Sequence, residues 1–281
     1  MALRRQLIPW RAAGTRAEMR RNADEVVRDT GWVFNNQTGS TLTLDEFVKT
    51  GDAEVDIYLD RFGWSAMAAD SSVLEIGSGI GRMTSALTRK FASVIATDVD
   101  AAFLERCRET VSRFGRMSTL RTVHIADGSS INVSDHSVDA VFSYITLQHC
   151  LASDALRLTS EAVRVVKPGG YIALNYRTWV PADCVLVPAG GVMRLLWRVP
   201  VVGQKLSQWR WSTRLGWQAN RLDPRRVLAL LQAANIEFDE VAILHHPGRP
   251  QRSVSYDGIP VPQRDLDVAN KSHWWLVARC H

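Results

Sequence analysis

Cysteine is scarce in this sequence and forms no cluster. The 281 residues include four cysteines, none of them in a C-x-x-C pair: Cys107, Cys150, Cys184 and Cys280. Disulfide frameworks and structural zinc sites both require cysteines at closer, repeated spacing. The sequence therefore predicts neither a disulfide-stabilised fold nor a bound metal.

Low-complexity blocks are also lacking. The 18 Gly and 10 Pro follow no period, which excludes a fibrous protein or a repeat array. With 46% hydrophobic and 22% charged residues, a chain of this length can bury one sizeable core. The composition predicts a single α/β domain with additional segments.

No long apolar run lies near the N-terminus. The first 21 residues contain six arginines, and their only apolar cluster covers residues 7–10. A secretory signal needs an apolar stretch of about 7–15 residues. Together with the cysteine pattern, this predicts a reduced, cytoplasmic protein.

Negative charge is scarce in one segment of the chain. Residues 179–226 hold eight Lys or Arg and two Asp, so this segment carries +6, and the rest of the chain carries −1 of the net +5. Half of the ten tryptophans lie in the same segment: Trp179, Trp197, Trp209, Trp211 and Trp217. A basic segment of this kind favours an anionic surface or ligand more than nucleic acid. The alternative is that the tryptophans only pack the segment onto the core.

From residue 72 onward, strand-like apolar runs alternate with helical patterns. Seven strands are predicted: 72–76, 93–97, 121–126, 138–144, 171–176, 238–244 and 272–279. Strands joined through helices run parallel, so the pattern predicts a doubly wound, mostly parallel seven-stranded sheet. Two short helices separated at Gly51 are expected before the first strand, and Lys167-Pro168-Gly169-Gly170 is expected to be a turn.

The first predicted strand runs into a glycine-rich turn. Residues 73–84 read V-L-E-I-G-S-G-I-G-R-M-T, with glycines at 77, 79 and 81. Alternate glycines let a ligand approach backbone N–H groups in a concave turn, which suits a nucleoside with a carboxylate or phosphate. A dinucleotide fingerprint requires its third glycine where Arg82 stands, and the sequence has no G-x-x-x-x-G-K-[ST] phosphate loop.

Over residues 43–178 the pattern resembles the class I S-adenosylmethionine-dependent methyltransferase family, in its small-molecule, type 11-like branch. The matching positions are Glu75 with the three glycines, Asp98, Asp127 before Gly128, and the stretches 137–142 and 163–170. The resemblance implies a Rossmann-like methyltransferase fold and S-adenosylmethionine as the cofactor. It divides the chain into an N-terminal arm (1–42), a core (43–178), an inserted acceptor-side lid (179–222) and the C-terminal part of the same core (223–281).

The resemblance also implies which residues hold the cofactor. They are Thr50, Gly51, Glu75, Gly77, Ser78, Gly79, Gly81, Arg82, Asp98, Val99, Asp127, Gly128 and Tyr144. Asp98 would hold the ribose, because a carboxylate accepts two hydrogen bonds from a diol. Asp127 would lie on the adenine side, and Thr50 with Gly51 would close over the methionine end. Simple capping roles for Asp98 and Asp127, and a surface helix end at Thr50–Gly51, remain alternatives. Glu75 is expected to order the glycine turn through backbone N–H groups.

His149 is the candidate catalytic residue. It follows the fourth strand, at the sheet edge where doubly wound folds bind ligands, and imidazole titrates near neutrality. Tyr144 and Gln148 are candidates to orient the acceptor. His149 could instead only pack beside the pocket, and His245 with His246 are the second candidates for a base. His124 is expected in the core.

The predicted reaction is O-methylation of a hydroxyl on a small molecule, sugar, glycan or glycolipid. Indole rings suit sugar faces, and a basic amphipathic lid suits a glycolipid or an anionic membrane surface. One alternative is a nucleic-acid or N-methyltransferase, although the sequence lacks the Asn/Asp-Pro-Pro-Tyr/Phe tetrapeptide of base-methylating enzymes. Another is a non-catalytic cofactor-binding partner subunit.

Overall fold

The computed structural model describes most of the chain after residue 41. The described residues are 22–27, 42–207, 209–217, 220–249, 252–267 and 271–281. The predicted N-terminal arm therefore lies outside the described residues, apart from residue 42 and residues 22–27, of which 23–27 are helical.

The centre of the fold is a mixed sheet in which most strands are parallel. Its strands are β1 (Ser72–Ile76), β2 (Ser93–Asp98), β3 (Leu120–His124), β4 (Val138–Ser143), β5 (Val166–Arg177), β6 (Phe238–His245), β9 (Gln263–Asp265) and β10 (His273–Cys280), and a separate hairpin contains β7 (Ser255–Tyr256) and β8 (Ile259–Pro260). The strand order is β3-β2-β1-β4-β5-β10-β6-β9. Among the strands that the structure describes in this sheet, only β10 runs antiparallel, to both β5 and β6. The predicted doubly wound, mostly parallel α/β sheet is confirmed.

Eight helices connect and cover these strands among the described residues. They are α1 (Leu44–Arg61), α2 (Thr84–Lys90), α3 (Ala101–Phe114), α4 (Ala152–Val165), α5 (Asp183–Leu196), α6 (Pro200–Ser207), α7 (Arg210–Trp217) and α8 (Pro224–Ala233). Side-chain caps start three of them: Thr43 forms a capping box with Glu46, Asp100 caps α3 and Asp223 caps α8. Each cap accepts a hydrogen bond from an N–H group that the helix itself cannot satisfy.

Three details differ from the sequence predictions. The sheet has an eighth strand, because β9 pairs with β6 at the edge; its three polar residues give no apolar signal. A single helix, α1, replaces the two predicted short helices and continues through Gly51. Glycine at this position serves close packing and not a helix break, because a Cβ atom on Gly51 would lie 2.3 Å from the Arg82 carbonyl oxygen. Residues 167–170 form part of β5 instead of a turn, with Gly169 in the left-handed region.

Successive side chains of β10 anchor the core on both faces of the sheet. Trp274 stacks on Tyr176 with ring centroids 4.7 Å apart, and Trp275 stacks on Tyr144 at 5.5 Å. Adjacent residues of a strand point to opposite faces, so each indole fills one layer between sheet and helices. Both indoles are fully buried. The sheet is therefore covered on both sides where β10 crosses it.

The segment between β5 and α8 consists of three helices, α5 to α7, that pack around the buried Trp197. The indole Nε1 of Trp197 donates to the Ser212 hydroxyl at 3.1 Å. A Cβ atom on Gly216 would lie 2.3 Å from the same ring, so glycine permits this close approach. No helix among the described residues combines the length and hydropathy needed to cross a membrane.

A buried ion pair joins the two ends of this segment. Arg221 donates to both carboxylate oxygens of Asp183, at 2.9 and 2.8 Å, and the side chains are 2% and 0% exposed. Arg177, at the end of β5, lies 3.9 Å from the same carboxylate. A bidentate, buried pair of this kind fixes the geometry of both partners.

Replacing Arg221 tests this anchor. Arg221→Met leaves the buried Asp183 carboxylate with the Val180 N–H and the more distant Arg177 as its partners, and we expect the free energy of unfolding to fall by about 3 kcal/mol. The exposed Arg226, in α8, supplies the control: Arg226→Met should change stability by less than about 0.5 kcal/mol. Chemical denaturation monitored by tryptophan fluorescence measures both. Equal effects of the two substitutions would show that the pair does not anchor the segment.

Candidate functional site

The glycine turn after β1 has a backbone that only glycine adopts without strain. Gly77, Gly79 and Gly81 have φ angles of +80°, +55° and +91°, which lie in the left-handed region. A Cβ atom on Gly77 would also lie 2.1 Å from Cγ2 of Thr146, in the loop after β4. The turn therefore packs directly against the neighbouring loop and cannot accommodate a side chain there.

The end of β2 holds this turn in place. The backbone N–H groups of Gly77 and Ser78 both donate to the Thr97 carbonyl, at 2.8 and 2.9 Å. Gly79 N donates to Oδ2 of Asp98 at 2.9 Å, and Asp100 N donates to Oδ1 at 2.9 Å. Each carboxylate oxygen has two lone pairs, so Asp98 can still accept a ribose hydroxyl on each oxygen. Burial raises the pKa of Asp98 to about 6.

Glu75 connects β1 to α2 beneath the turn. Its Oε2 accepts a hydrogen bond from the Thr84 hydroxyl at 2.6 Å. The structure shows this bond in place of the predicted hydrogen bonds from backbone N–H groups of the turn to Glu75. Burial raises the pKa of Glu75 to about 7, against the opposing effect of the Thr84 hydrogen bond. Glu75 therefore braces the turn through a side chain of the helix that follows.

Four residues predicted for the cofactor site meet where α1 crosses the glycine turn. Arg82 Nη1 donates to Glu54 at 2.6 Å and to the Thr50 hydroxyl at 3.3 Å. Its guanidinium carbon lies 6.0 Å from the centroid of the Tyr144 ring. Gly51 touches the Arg82 carbonyl from the same helix. The structure thus brings Thr50, Gly51, Arg82 and Tyr144 together, and burial raises the pKa of Tyr144 to about 12.

Asp127 lies in the loop after β3 and caps its own turn. Its Oδ1 accepts from the N–H groups of Ser129 and Ser130, at 2.9 and 2.8 Å, and Oδ2 accepts from the Ser130 hydroxyl at 2.6 Å. The side chain is exposed. These bonds match the capping alternative, and an adenine-side role for Asp127 and Gly128 stays a prediction.

Val99 follows Asp98 at the same edge of the sheet. Its carbonyl accepts a hydrogen bond from His124 Nε2 at 3.1 Å. The prediction that His124 lies in the core was wrong, because it ends β3 and is exposed. The backbone of Ile125 donates to the Asp98 carbonyl at 2.9 Å, which places the loops after β2 and β3 side by side.

The loop after β4 carries His149 and is joined to the glycine turn. Thr146 donates from its hydroxyl to the Gly77 carbonyl at 3.3 Å. Residues Leu147–His149 form a 3-10 helix, in which Gln148 Nε2 lies 3.3 Å from His149 Nε2. Ile145 has a φ of +51°, an uncommon conformation for a β-branched residue that marks a constrained turn. His149 is half-buried.

Sequence reasoning missed the residues that support His149 from the far side. Asn220 Nδ2 donates to the carbonyls of Leu147 and Cys150, at 2.6 and 2.7 Å, and so brackets the 3-10 helix. His273, at the start of β10, is buried, and its pKa falls to about 3 through burial and the neighbouring charges of Arg177, His149 and Arg221. No local pattern predicts these contacts, because Asn220 is about seventy residues from the His149 loop in the chain.

His245, of the alternative pair, is buried at the end of β6. Its Nδ1 lies 3.1 Å from the His246 carbonyl. In the sheet, β10 and β5 separate β6 from β4. Of the three histidines, His149 is therefore the one whose loop is hydrogen-bonded to the glycine turn, through Thr146.

This arrangement defines a class of protein. The strand order reverses at β1, between β2 and β4, and α/β domains bind nucleoside ligands at such a switch point. Three left-handed glycines open the backbone there, and Asp98 offers its carboxylate beside them. These residues fit S-adenosylmethionine.

The family follows from comparison with known proteins. Residues 74–174 match the family described as a methyltransferase domain. The match confirms the predicted resemblance to the class I S-adenosylmethionine-dependent methyltransferase family.

Solved structures share the fold across most of the chain. Magnesium protoporphyrin IX methyltransferase from Synechocystis PCC 6803, solved with bound S-adenosylhomocysteine, is 13% identical with a TM-score of 0.51 and covers 91% of this chain and 97% of its own. A protein from Bacillus halodurans C-125 described as a methyltransferase is 18% identical with a TM-score of 0.50, over 79% of this chain and 97% of its own. At these identities the likeness shows the fold alone.

Curated relatives match over the cofactor-binding part. Malonyl-[acyl-carrier protein] O-methyltransferase from Marinomonas sp. (strain MWYL1) is 34% identical over 107 residues, which are 37% of this chain and 37% of that protein. Phosphoethanolamine N-methyltransferase 1 from Triticum aestivum is 31% identical over 107 residues, or 38% of this chain and 21% of its own. The chain thus spans well under half the length of these relatives.

Burial of Glu75 predicts a pH dependence of stability. Its folded pKa of about 7 lies above the ordinary value of 4.5, so ionisation disfavours the folded state. The resulting loss of stability grows as pH rises through the interval between these two values. We expect Glu75→Gln to gain stability relative to the natural protein on going from pH 5 to pH 8, by on the order of 2 kcal/mol. Thermal unfolding at both pH values measures this, and a pH-independent difference would contradict it.

Asp98 is predicted to carry cofactor affinity. Asp98→Asn keeps the shape but removes the charge that strengthens hydrogen bonds from the ribose, so the affinity for S-adenosylhomocysteine should fall at least about tenfold. Isothermal titration calorimetry provides the measurement. Asp70→Asn, on the exposed surface, is the matched control and should bind normally. Unchanged affinity in Asp98→Asn would remove the ribose role.

Proposed function

We propose that this protein is an S-adenosylmethionine-dependent methyltransferase that transfers the methyl group to a hydroxyl oxygen. The acceptor is a hydroxylated small molecule, sugar, glycan or glycolipid. The observation that carries the proposal is the position of His149. It stands in a constrained loop that is hydrogen-bonded to the glycine turn, at the edge of the sheet where the cofactor residues meet.

The chemistry divides between cofactor and protein. S-adenosylmethionine supplies an electrophilic methyl group on a sulfonium. The chain has to hold the acceptor oxygen in line, at about 3–3.5 Å, in a site without water. A hydroxyl must also lose its proton as the new bond forms, and a positioned base contributes roughly 10²- to 10⁴-fold.

His149 and Gln148 have complementary roles in this proposal. With the Gln148 amide nitrogen as donor, Nε2 of His149 is the unprotonated ring nitrogen. Its single lone pair takes the hydroxyl proton when the acceptor displaces the Gln148 amide from it. Gln148 Oε1 is buried and has no hydrogen-bond partner among the described residues. A buried carbonyl oxygen without a donor is costly, and an acceptor hydroxyl would satisfy it. An N–H group would serve as well as a hydroxyl, so Gln148 supports an acceptor that carries a hydrogen-bond donor.

The helices α5 to α7 are the proposed acceptor-side lid. Asn220, which follows them, holds the carbonyls on both sides of His149. Asp183, which starts them, binds Arg221 and lies near Arg177 at the end of β5. A shift of this segment would therefore move the groups around the base, which suits a lid over the acceptor.

Replacing His149 tests the base. We expect His149→Ala to bind S-adenosylhomocysteine normally in calorimetry but to transfer the methyl group at least about a hundredfold more slowly. His246→Ala, from the alternative pair of histidines, should keep normal transfer. Transfer is measured with labelled cofactor and a panel of hydroxyl, amine and nucleic-acid acceptors.

The panel also distinguishes the competing functions. Transfer to nitrogen acceptors alone would overturn O-methylation and favour an N-methyltransferase. Normal cofactor binding without transfer to any acceptor would favour the cofactor-binding partner subunit. Equal loss of transfer in both histidine variants would remove His149 from the role of specific base.

A further inference from the structure

The exposed apolar residues of this protein are concentrated in the α5–α7 segment. Of the thirteen exposed large hydrophobic side chains among the described residues, eleven lie between residues 179 and 211. They are Trp179, Val185, Leu186, Val192, Leu195, Leu196, Val199, Val201, Val202, Trp209 and Trp211. Scattered apolar residues on a surface are ordinary, but a contiguous patch marks an interaction site.

Helix α5 has the reverse of the usual polarity. Each of its exposed residues is apolar or a cysteine: Cys184, Val185, Leu186, Pro188, Val192, Leu195 and Leu196. The helix has two charged residues, and neither is exposed. Asp183 is buried, and Arg194 donates to the Gly216 carbonyl of α7 at 3.1 Å. A surface helix of a globular protein normally turns its polar side to water.

This outward apolar face is held by packing. Trp197 is buried between the three helices, and glycines 203 and 216 allow its backbone and ring to come close. Gly190 of α5 in turn meets the Leu215 carbonyl, which a Cβ atom would approach to 2.5 Å. The helices therefore cannot rotate their apolar residues inward without losing these contacts.

The charge around the apolar face has one sign. Between Asp183 and Asp223 the sequence contains six Lys or Arg and no Asp or Glu. Arg198 and Lys205 are exposed beside the apolar residues. Trp209 and Trp211 are also exposed, with ring centroids 5.9 Å apart, and indoles favour the interface between water and lipid.

We propose that the face formed by α5, α6 and the start of α7 docks on the surface of an anionic phospholipid bilayer. Apolar side chains would enter the region between headgroups and acyl chains, while Arg198 and Lys205 contact lipid phosphates. A second copy fits this face less well, because paired copies would bring two basic surfaces together. The arginine-rich residues 1–21 carry the same positive sign. The inference goes beyond the proposed reaction and does not depend on it.

Vesicle co-sedimentation of the full chain tests the proposal. We expect at least about tenfold stronger binding to vesicles of phosphatidylcholine with phosphatidylglycerol than to phosphatidylcholine alone, and weaker binding at high salt. Arg198→Gln with Lys205→Gln should reduce the binding to anionic vesicles. Equal binding to the two vesicle types, or binding to neither, would overturn the proposal.

Matched substitutions locate the surface. Val185→Glu with Val201→Glu replaces side chains that are 71% and 68% exposed and should abolish vesicle binding. Ile259→Glu, at a position 70% exposed in the β7–β8 hairpin, outside the α5–α7 segment, should leave vesicle binding unchanged. Normal circular dichroism and normal S-adenosylhomocysteine binding establish that the variants fold, whatever the outcome for methyl transfer. Equal losses in both variants, or a dimer in ultracentrifugation that only the double variant dissociates, would contradict membrane docking.

Discussion

The contact between the glycine turn and the loop after β4 is the constraint on which the site depends. Gly77 leaves no space for a Cβ atom against Thr146, and the Thr146 hydroxyl returns a hydrogen bond to the Gly77 carbonyl. The first loop forms the proposed cradle for the cofactor, and the second carries His149. Because the two loops touch through backbone and a short side chain, the proposed cofactor cradle and the proposed base belong to one rigid unit.

Two buried carboxylates beside this contact have a cost in stability. Glu75 and Asp98 lie out of water with raised pKa values, and their ionised forms are only partly compensated by the Thr84 hydroxyl and backbone N–H groups. Such groups are typical of functional sites, where the fold tolerates a locally unfavourable environment. Asp98 is the last residue of β2 and lies beside the glycine turn, so the sheet positions its carboxylate at the proposed ribose site.

The α5–α7 segment is organised by contacts of a different kind. Its base is a buried ion pair between Asp183 and Arg221, its interior is Trp197, and its outer face is apolar. Asp183 of this ion pair also lies 3.9 Å from Arg177 at the carboxyl edge of the sheet, close to the elements that hold His149. Taken together, the two proposals give this segment a lipid-facing surface on one side and an acceptor-covering surface on the other.

Local patterns predict the alternation of strands and helices, the glycine turn and the carboxylate at the end of β2, because these features follow from residues close together in the chain. Three features became visible in the folded chain alone: α1 continues through Gly51, β9 pairs at the edge of the sheet, and Asn220 brackets the 3-10 helix that contains His149. Asp127 shows the same limit, since its pattern suits a ligand while its oxygens cap its own turn. The physical reason is that close approach, edge pairing and burial of charge depend on partners far apart in sequence, which no local period encodes.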